Sequence, residues 1–105
     1  EQALKQAHER VTRRYELRAK GMGFDRVLER AAAAVGPGVK AGDLLRRSRG
    51  NARSEGRALA CKWLVDDLGM SRTMVALRMK LSQPSVSALV TRGRGIEERL
   101  GPRIS

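Results

Sequence analysis

Apolar residues recur along the chain three and four positions apart, the spacing that places them on one face of an α-helix. Residues 24–35 show this spacing, and the glycine-proline-glycine break at 36–38 ends the helix that they predict. Residues 1–20 carry a narrower stripe within a charged sequence, formed by Leu4, Ala7, Val11 and Tyr15. Alternating β-branched runs, which are typical of strands, do not occur. The pattern therefore predicts an all-α fold of five to six helices.

Two further helices are predicted in the middle of the chain. The stretch 41–45 is short and would bury Leu44 and Leu45. Residues 54–68 form the most apolar stretch, which predicts a central helix that Ser54 caps and Gly69 ends in a left-handed conformation. Between these helices, residues 46–53 have no apolar side chain beyond one alanine, which predicts a basic loop.

Residues 71–91 predict a helix-turn-helix. Ser71 and Ser82 are suitable N-cap residues, and Pro84 falls in the first turn of the second helix, where its missing N–H removes no hydrogen bond. The turn of this motif usually has a glycine where Lys80 stands. If φ stays positive at that position, lysine costs about 1 kcal/mol, and a rearranged turn is the alternative. The inward-facing residues would be Val75, Ala76, Met79, Leu81, Val86, Leu89 and Val90.

The second helix of this pair, predicted over residues 82–91, turns short side chains outward. Short chains allow a helix to lie deep in the major groove of DNA, and its free N-terminal N–H groups can bind a phosphate. Arg92 and Arg94 are expected just beyond its C-terminus, in reach of the DNA backbone. The outward residues are Gln83, Ser85, Ser87 and Ala88.

Basic residues are in excess and unevenly distributed. The chain has 22 Lys and Arg against 11 Asp and Glu, a formal net charge of +11. Residues 46–57 hold five Arg against one Glu, and residues 70–105 hold seven basic against two acidic residues, whereas residues 23–45 are balanced. This distribution is expected of a surface that faces phosphates, with a merely solvated surface as the alternative.

We therefore expect the basic loop and the helix-turn-helix to bind double-stranded DNA. Gln83, Ser85 and Ser87 would face base edges, and the other candidates would contact phosphates or orient the helix. The candidate DNA-binding residues are Arg46, Arg47, Arg49, Asn51, Arg53, Ser71, Arg72, Thr73, Ser82, Gln83, Pro84, Ser85, Ser87, Arg92 and Arg94.

These elements together resemble a known arrangement. From about Phe24 to Leu100, the chain resembles the C-terminal DNA-binding domain of the replication initiator DnaA: a helix ending in a glycine break, the short Asp43-Leu44-Leu45 helix, an arginine-rich loop, a long apolar helix and the helix-turn-helix. The resemblance implies a fold like that domain or like the Trp repressor. It does not carry over the initiator's target sequence, because Gln83-Pro84-Ser85-Val86 stands where that family has Asp-His-Thr-Thr.

The whole chain is also similar to the C-terminal extension of bacterial REP-associated tyrosine transposases. The similar stretches are EQALKQAHER, GRALACKWLVDDLGMS and LSQPSVSALVTRGRGIEERL. This resemblance implies an accessory domain that helps a transposase find its DNA, with the arginine-rich loop along a neighbouring groove. Because the chain starts at Glu1 without Met, we expect a piece of a longer protein: a connecting helix at 1–22, a DNA-binding domain at 23–100 and a frayed tail at 101–105.

Groups for catalysis are few. A transposase centre needs two histidines and a tyrosine, but the chain has only His8 and Tyr15, and Tyr15 is assigned to packing. The single cysteine, Cys61, is expected to be a buried core thiol, and Trp63 to cover the core rather than to stack on bases. Asp66-Asp67 looks solvated. We therefore expect no enzyme activity, no metal or cofactor and no small-molecule substrate.

Cysteine content and hydropathy bear on the location of the protein in the cell. A lone cysteine favours a cytoplasmic protein, here one associated with the nucleoid, and no apolar run approaches the roughly 18 residues of a membrane span. The sequence does not determine the oligomeric state, and a dimer is one of the possibilities. The alternative functions are a protein-interaction module, using the charged first helix and the basic loop, and binding of structured RNA.

Overall fold

The computed structural model describes residues 12, 14–17, 19–36, 38–45 and 51–101, and these residues form an all-α fold without strands. Residues 12, 14–17 and 19 are helical. The later elements are α1 (Phe24–Val35), a 3₁₀-helix (Ala41–Leu45), α2 (Asn51–Lys62), a π-helical turn (Trp63–Asp67), α3 (Arg72–Met79) and α4 (Gln83–Leu100). Among these helices, none has both the length and the apolar character needed to cross a membrane. The all-α prediction is confirmed.

Helix α1 has the bounds that the sequence predicts, and it buries Val27, Leu28 and Ala31 against the core. In the 3₁₀-helix that follows, Leu44 is fully buried but Leu45 is 39% exposed, so the prediction that both enter the core is wrong. A 3₁₀-helix has three residues per turn, which separates neighbouring side chains by about 120°. Only one of the two leucines can therefore face inward.

The N-terminal helical residues pack differently from the prediction. Tyr15 is 75% exposed, whereas Leu17 is buried. The assignment of Tyr15 to packing is therefore wrong. Gly21, at φ +78°, follows this segment as expected of a left-handed helix end. Leu4, Ala7 and Val11, the other residues of the predicted stripe, lie outside the described residues.

Helix α2 begins three residues earlier than the sequence predicts. It starts at Asn51, so Asn51 and Arg53 are helical and not part of a loop. Ser54 therefore lies inside the helix and is not its N-cap. Its hydroxyl accepts a hydrogen bond from Arg92 of α4, at 2.6 Å. The face of α2 and the following turn that was predicted to be apolar is buried, with Ala58, Leu59, Cys61, Trp63 and Leu64 all inaccessible to solvent.

The last turn of this central element widens into a π-helix. The backbone N–H of Leu68 donates to the carbonyl oxygen of Trp63, five residues earlier, at 2.9 Å. Gly69 then adopts φ +76°, which confirms the predicted left-handed end. The widening itself was not predicted from the sequence.

A polar cluster ties this turn to α4. The ammonium of Lys62 donates to Asp67 and to Glu97, both at 2.9 Å, and the indole N–H of Trp63 donates to Glu97. Burial by itself would lower the pKa of Lys62, but the hydrogen bonds to Asp67 and Glu97 outweigh it and raise that pKa. Asp67 is only 9% exposed, so the expectation of a solvated aspartate pair is wrong.

Helix α4 continues to Leu100, nine residues beyond the predicted end. Two glycines, Gly93 and Gly95, lie within this extension. In the structure, a Cβ atom at Gly93 would stand 2.2 Å from the carbonyl oxygen of Ala58 in α2. Gly93 therefore permits close helix packing and does not end the helix.

Candidate nucleic-acid interface

Helices α3 and α4 are each capped as the sequence predicts. The hydroxyl of Ser71 accepts from the backbone N–H of Met74 at 3.1 Å, and the hydroxyl of Ser82 accepts from that of Ser85 at 3.2 Å. Pro84 lies in the first turn of α4. These caps fix where both helices begin, and thereby which side chains stand at the N-terminal end of α4.

A three-residue turn, Lys80 to Ser82, joins the two helices. Lys80 has φ 58° and ψ 46°, so the left-handed conformation is kept with a lysine in place of glycine, and the alternative of a rearranged turn is wrong. The backbone N–H of Leu81 donates to the carbonyl oxygen of Ala76 at 2.8 Å. Of the residues predicted to face inward, Leu81 and Leu89 are half-buried. The others are buried: Val75, Ala76, Met79, Val86 and Val90.

Two polar side chains at the start of α4 are exposed and held by hydrogen bonds. The amide nitrogen of Gln83 donates to the hydroxyl of Thr73 in α3 at 3.0 Å. The hydroxyl of Ser82 donates to that of Ser85 at 2.8 Å. Thr73, which is expected at a phosphate, accepts the hydrogen bond from Gln83 through its hydroxyl oxygen. These bonds restrict Gln83 and Ser85 before any ligand binds.

Ser87, the third predicted base-reading residue, is less accessible. It is half-buried, and its carbonyl oxygen accepts a hydrogen bond from the hydroxyl of Thr91 at 3.2 Å. Ala88, by contrast, is exposed as predicted. The open polar edge of α4 is therefore centred on Gln83 and Ser85.

Beside this edge lies a cavity of about 200 Å³, and two cationic side chains, Arg57 and Lys80, form part of its wall. The Nε of Arg57 donates to the carbonyl oxygen of Leu44 at 3.0 Å, which anchors that side chain. Neither cation was among the predicted site residues. The only sequence signals were the charge of residues 46–57 and the unusual lysine in the turn. The cavity is lined by Leu45, Arg57, Met79, Lys80, Leu81, Ser82 and Ser85.

Arg92 and Arg94 lie within α4 and not beyond its end. Arg94 forms a two-pronged ion pair with Asp66, with nitrogen–oxygen distances of 2.8 and 3.1 Å. Burial alone would raise the pKa of Asp66, but the hydrogen bond and charge of Arg94 outweigh it and lower that pKa. The same hydrogen bond raises the pKa of Arg94. Asp66 already balances the charge of Arg94 within the protein, so a contact of Arg94 with a DNA phosphate stays a prediction and would compete with this ion pair.

The basic residues of the predicted loop are only partly described. Arg46, Arg47 and Arg49 and the side chain of Asn51 lie outside the described residues. Arg53 approaches Asp43 at 4.0 Å from the first turn of α2. The residues that flank the predicted loop on either side are both close to α4. Leu45, before residues 46–53, lines the cavity together with Ser85, and Ser54, after them, accepts a hydrogen bond from Arg92.

The candidate reactive groups are placed in the core. Cys61 is fully buried, and that burial raises the pKa of its thiol to about 12, which keeps it protonated at neutral pH. Trp63 is fully buried too, so it offers no face for base stacking. His8 lies outside the described residues. Within the part of the chain that is described, no three His, Cys, Asp or Glu side chains are grouped to hold a metal ion.

The chain was compared with protein families, curated proteins and solved structures. No protein-family model, curated protein or solved structure matches the chain.

Proposed function

We propose that the chain is a double-stranded DNA-binding domain whose helix α4 enters the major groove by its N-terminal end. One observation carries the proposal: Gln83 and Ser85 are exposed at that end, and each is already fixed by a hydrogen bond within the α3–α4 pair. Groups that are ordered before binding lose less conformational entropy when they contact a base edge. Side chains of this kind can also read the donor and acceptor pattern of the major groove.

The cations around this edge support a phosphate-binding role. Lys80 and Arg57 line the cavity beside Ser82 and Ser85, and Arg72 is exposed at the start of α3. Arg92 donates to a neutral hydroxyl, so its positive charge is not cancelled by that partner. We propose that these four residues, with the arginines of residues 46–53, neutralise the DNA backbone on either side of the groove.

The resemblance to REP-associated transposases supports a more specific role. We propose that the domain serves as the DNA-recognition part of a transposase-like protein acting at the bacterial nucleoid. In such a protein, the chemistry of strand cleavage would belong to the catalytic part that this accessory domain serves.

Duplex binding is tested by a mobility-shift titration with a random-sequence duplex pool at several salt concentrations. We expect binding at low salt, and affinity should fall with a log–log slope of about −0.9 per phosphate contact. Arg72→Gln should weaken binding to all sequences alike and reduce the slope by about one contact. Absence of any duplex affinity at low salt would refute the proposal.

A matched control uses the ion pair of α4. The double variant Asp66→Asn, Arg94→Gln keeps the net charge of the chain, because it removes one charge of each sign. Since Arg94 is neutralised within the protein, this variant should bind duplexes with unchanged affinity and salt slope. A slope reduced by about one contact would instead assign Arg94 to a phosphate.

A second candidate function is contact with another protein, which exposed apolar side chains on α3 favour. Leu77 is 72% exposed and Met74, three residues earlier, is 47% exposed. Such neighbours on one helix face form a small apolar surface. A Leu77→Ser variant with unchanged duplex affinity but weaker self-association in sedimentation experiments would support this function. Unchanged sedimentation at high protein concentration would argue against self-association through this surface.

A further inference from the structure

We propose that Gln83 recognises an adenine in the major groove and that Thr73 is the positioning residue that orients it. The inference rests on the proposed function and makes it more specific, since it names the base. Its structural basis is the hydrogen bond at 3.0 Å from the amide nitrogen of Gln83 to the hydroxyl oxygen of Thr73.

The hydrogen-bonding capacity of the amide leads to adenine. A glutamine side chain has two N–H hydrogens and one acceptor oxygen. Thr73 takes one hydrogen, which leaves one N–H and the oxygen Oε1 of Gln83 for a ligand. Adenine presents the complementary pair on its major-groove edge, an acceptor at N7 and a donor at N6. Guanine presents two acceptors there, so Oε1 would find no donor.

The position of the bond indicates a role in recognition. Gln83 opens α4, and Thr73 lies in the first turn of α3, so the bond connects the N-terminal ends of the two helices. Both side chains are exposed, and a hydrogen bond in water contributes little to folding stability. Its main effect is to hold the Gln83 amide in one orientation.

The neighbouring residue restricts the site further. The hydroxyl of Ser82 caps α4 and also donates to Ser85, so the hydrogen of the Ser85 hydroxyl remains available to a ligand. Ser85 can thus serve the next base or a phosphate, whereas only Gln83 offers a donor and an acceptor side by side. The adenine preference is therefore assigned to Gln83 alone.

The test begins with sequences selected by the whole chain from a random duplex pool. Each adenine of the preferred site is then replaced in turn by 7-deazaadenine, which lacks the N7 acceptor. We expect one replacement to weaken binding about tenfold or more. The Gln83→Ala variant should bind the natural and modified duplexes equally, because the contact is already absent.

The role of Thr73 is tested with a pair of variants. Thr73→Val keeps the shape but removes the acceptor, so it should lose most of the discrimination between the natural and the 7-deazaadenine duplex at that position. Thr73→Ser keeps a hydroxyl and should restore discrimination. Thermal unfolding of both variants reports whether each is folded.

The outcomes separate this inference from the proposed function. A selected site that tolerates 7-deazaadenine at every position, or full discrimination in Thr73→Val, overturns the inference and leaves duplex binding intact. No duplex binding by the unaltered chain at low salt overturns the proposed function, and the inference with it.

Discussion

Lys80 is the residue at which the turn between α3 and α4 departs most from ordinary backbone geometry. Among the described non-glycine residues, it alone has a positive φ, at 58°. For an L-residue with a Cβ atom, the left-handed conformation costs about 1–2 kcal/mol. The buried side chains on both sides, Val75, Ala76 and Val86, hold the turn in place despite this cost. Because Lys80 lines the cationic cavity, its charge offers a reason why glycine is absent.

Two replacements of Lys80 therefore distinguish the effect of backbone strain on stability from the effect of the lost charge. Lys80→Gly should raise the free energy of unfolding by about 1 kcal/mol, because glycine adopts the left-handed conformation without a Cβ clash. Lys80→Ala removes the same charge but retains the Cβ atom, so it should give no such gain. Urea denaturation of the two variants measures the difference.

The two Lys80 variants also bear on DNA binding. Both remove one cation beside the start of α4, so both should weaken duplex binding and reduce its salt slope by about one contact. Equal stability of the glycine and alanine variants would contradict the strain at residue 80. Unchanged binding in both would remove Lys80 from the proposed phosphate contacts.

At the scale of elements, the packing of α2 against α4 depends on a position without a side chain. A Cβ atom at Gly93 would lie 2.2 Å from the carbonyl oxygen of Ala58 and 2.7 Å from the Cβ of Lys62. Neither atom is the mobile end of a long side chain, so the backbones themselves would have to separate. Gly95, two residues on in the same helix, has no atom within 4 Å of the corresponding position.

These two glycines make a matched pair. Gly93→Ala should destabilise the fold by about 2 kcal/mol or more, through overpacking between backbones. Gly95→Ala should stabilise it by about 0.5–1 kcal/mol, because alanine is the better helix former at an exposed position. Thermal or urea unfolding measures both effects. A Gly93→Ala variant as stable as the unaltered chain would contradict the close approach of α2 and α4.

Local chemistry explains which elements the sequence could predict. The apolar spacing located α1 with its correct bounds, and the serine side chains at 71 and 82 located the starts of α3 and α4, because periodicity and capping act within a few residues. The end of α4 was predicted nine residues too early, and Gly93 could not correct it, because in sequence a glycine that admits a neighbouring helix cannot be distinguished from one that ends a helix. Ser54 misled the start of α2, because its hydroxyl binds Arg92, 38 residues away.

At the scale of the whole molecule, the positive charge is redistributed by ion pairs between elements. In the second half of α4, Arg94 pairs with Asp66, Arg99 pairs with Glu55, and Glu97 pairs with Lys62. Near the start of that helix, Lys80 and Arg57 line the cavity beside serine hydroxyls. A count of charges along the sequence predicts an overall basic surface, but only folding determines which cations are neutralised. This is why neither the pairing of Arg94 with Asp66 nor the position of Lys80 at the cavity was predicted.

Burial of Cys61 links its ionisation to the stability of the whole fold. The folded thiol has its pKa raised by burial from the ordinary 9.0 to about 12, whereas the unfolded thiol ionises near its ordinary value. Between about pH 9 and 12 the folded state therefore holds a proton that the unfolded state has lost. Stability falls as pH rises through this interval, by at most about 1.4 kcal/mol per pH unit.

A Cys61→Ala variant isolates this effect. It lacks the thiol, so the difference in unfolding free energy between the variant and the unaltered chain should shift in favour of the variant as pH rises from 9 towards 12. All other ionisable groups are common to both proteins, so their contributions cancel in the difference. Urea denaturation at pH 7, 9, 10 and 11 measures it, with the pH 7 value giving the cost of the smaller side chain. A difference that stays constant over this range would show that the Cys61 thiol is not protected from ionisation, and hence that the core around α2 is open to water.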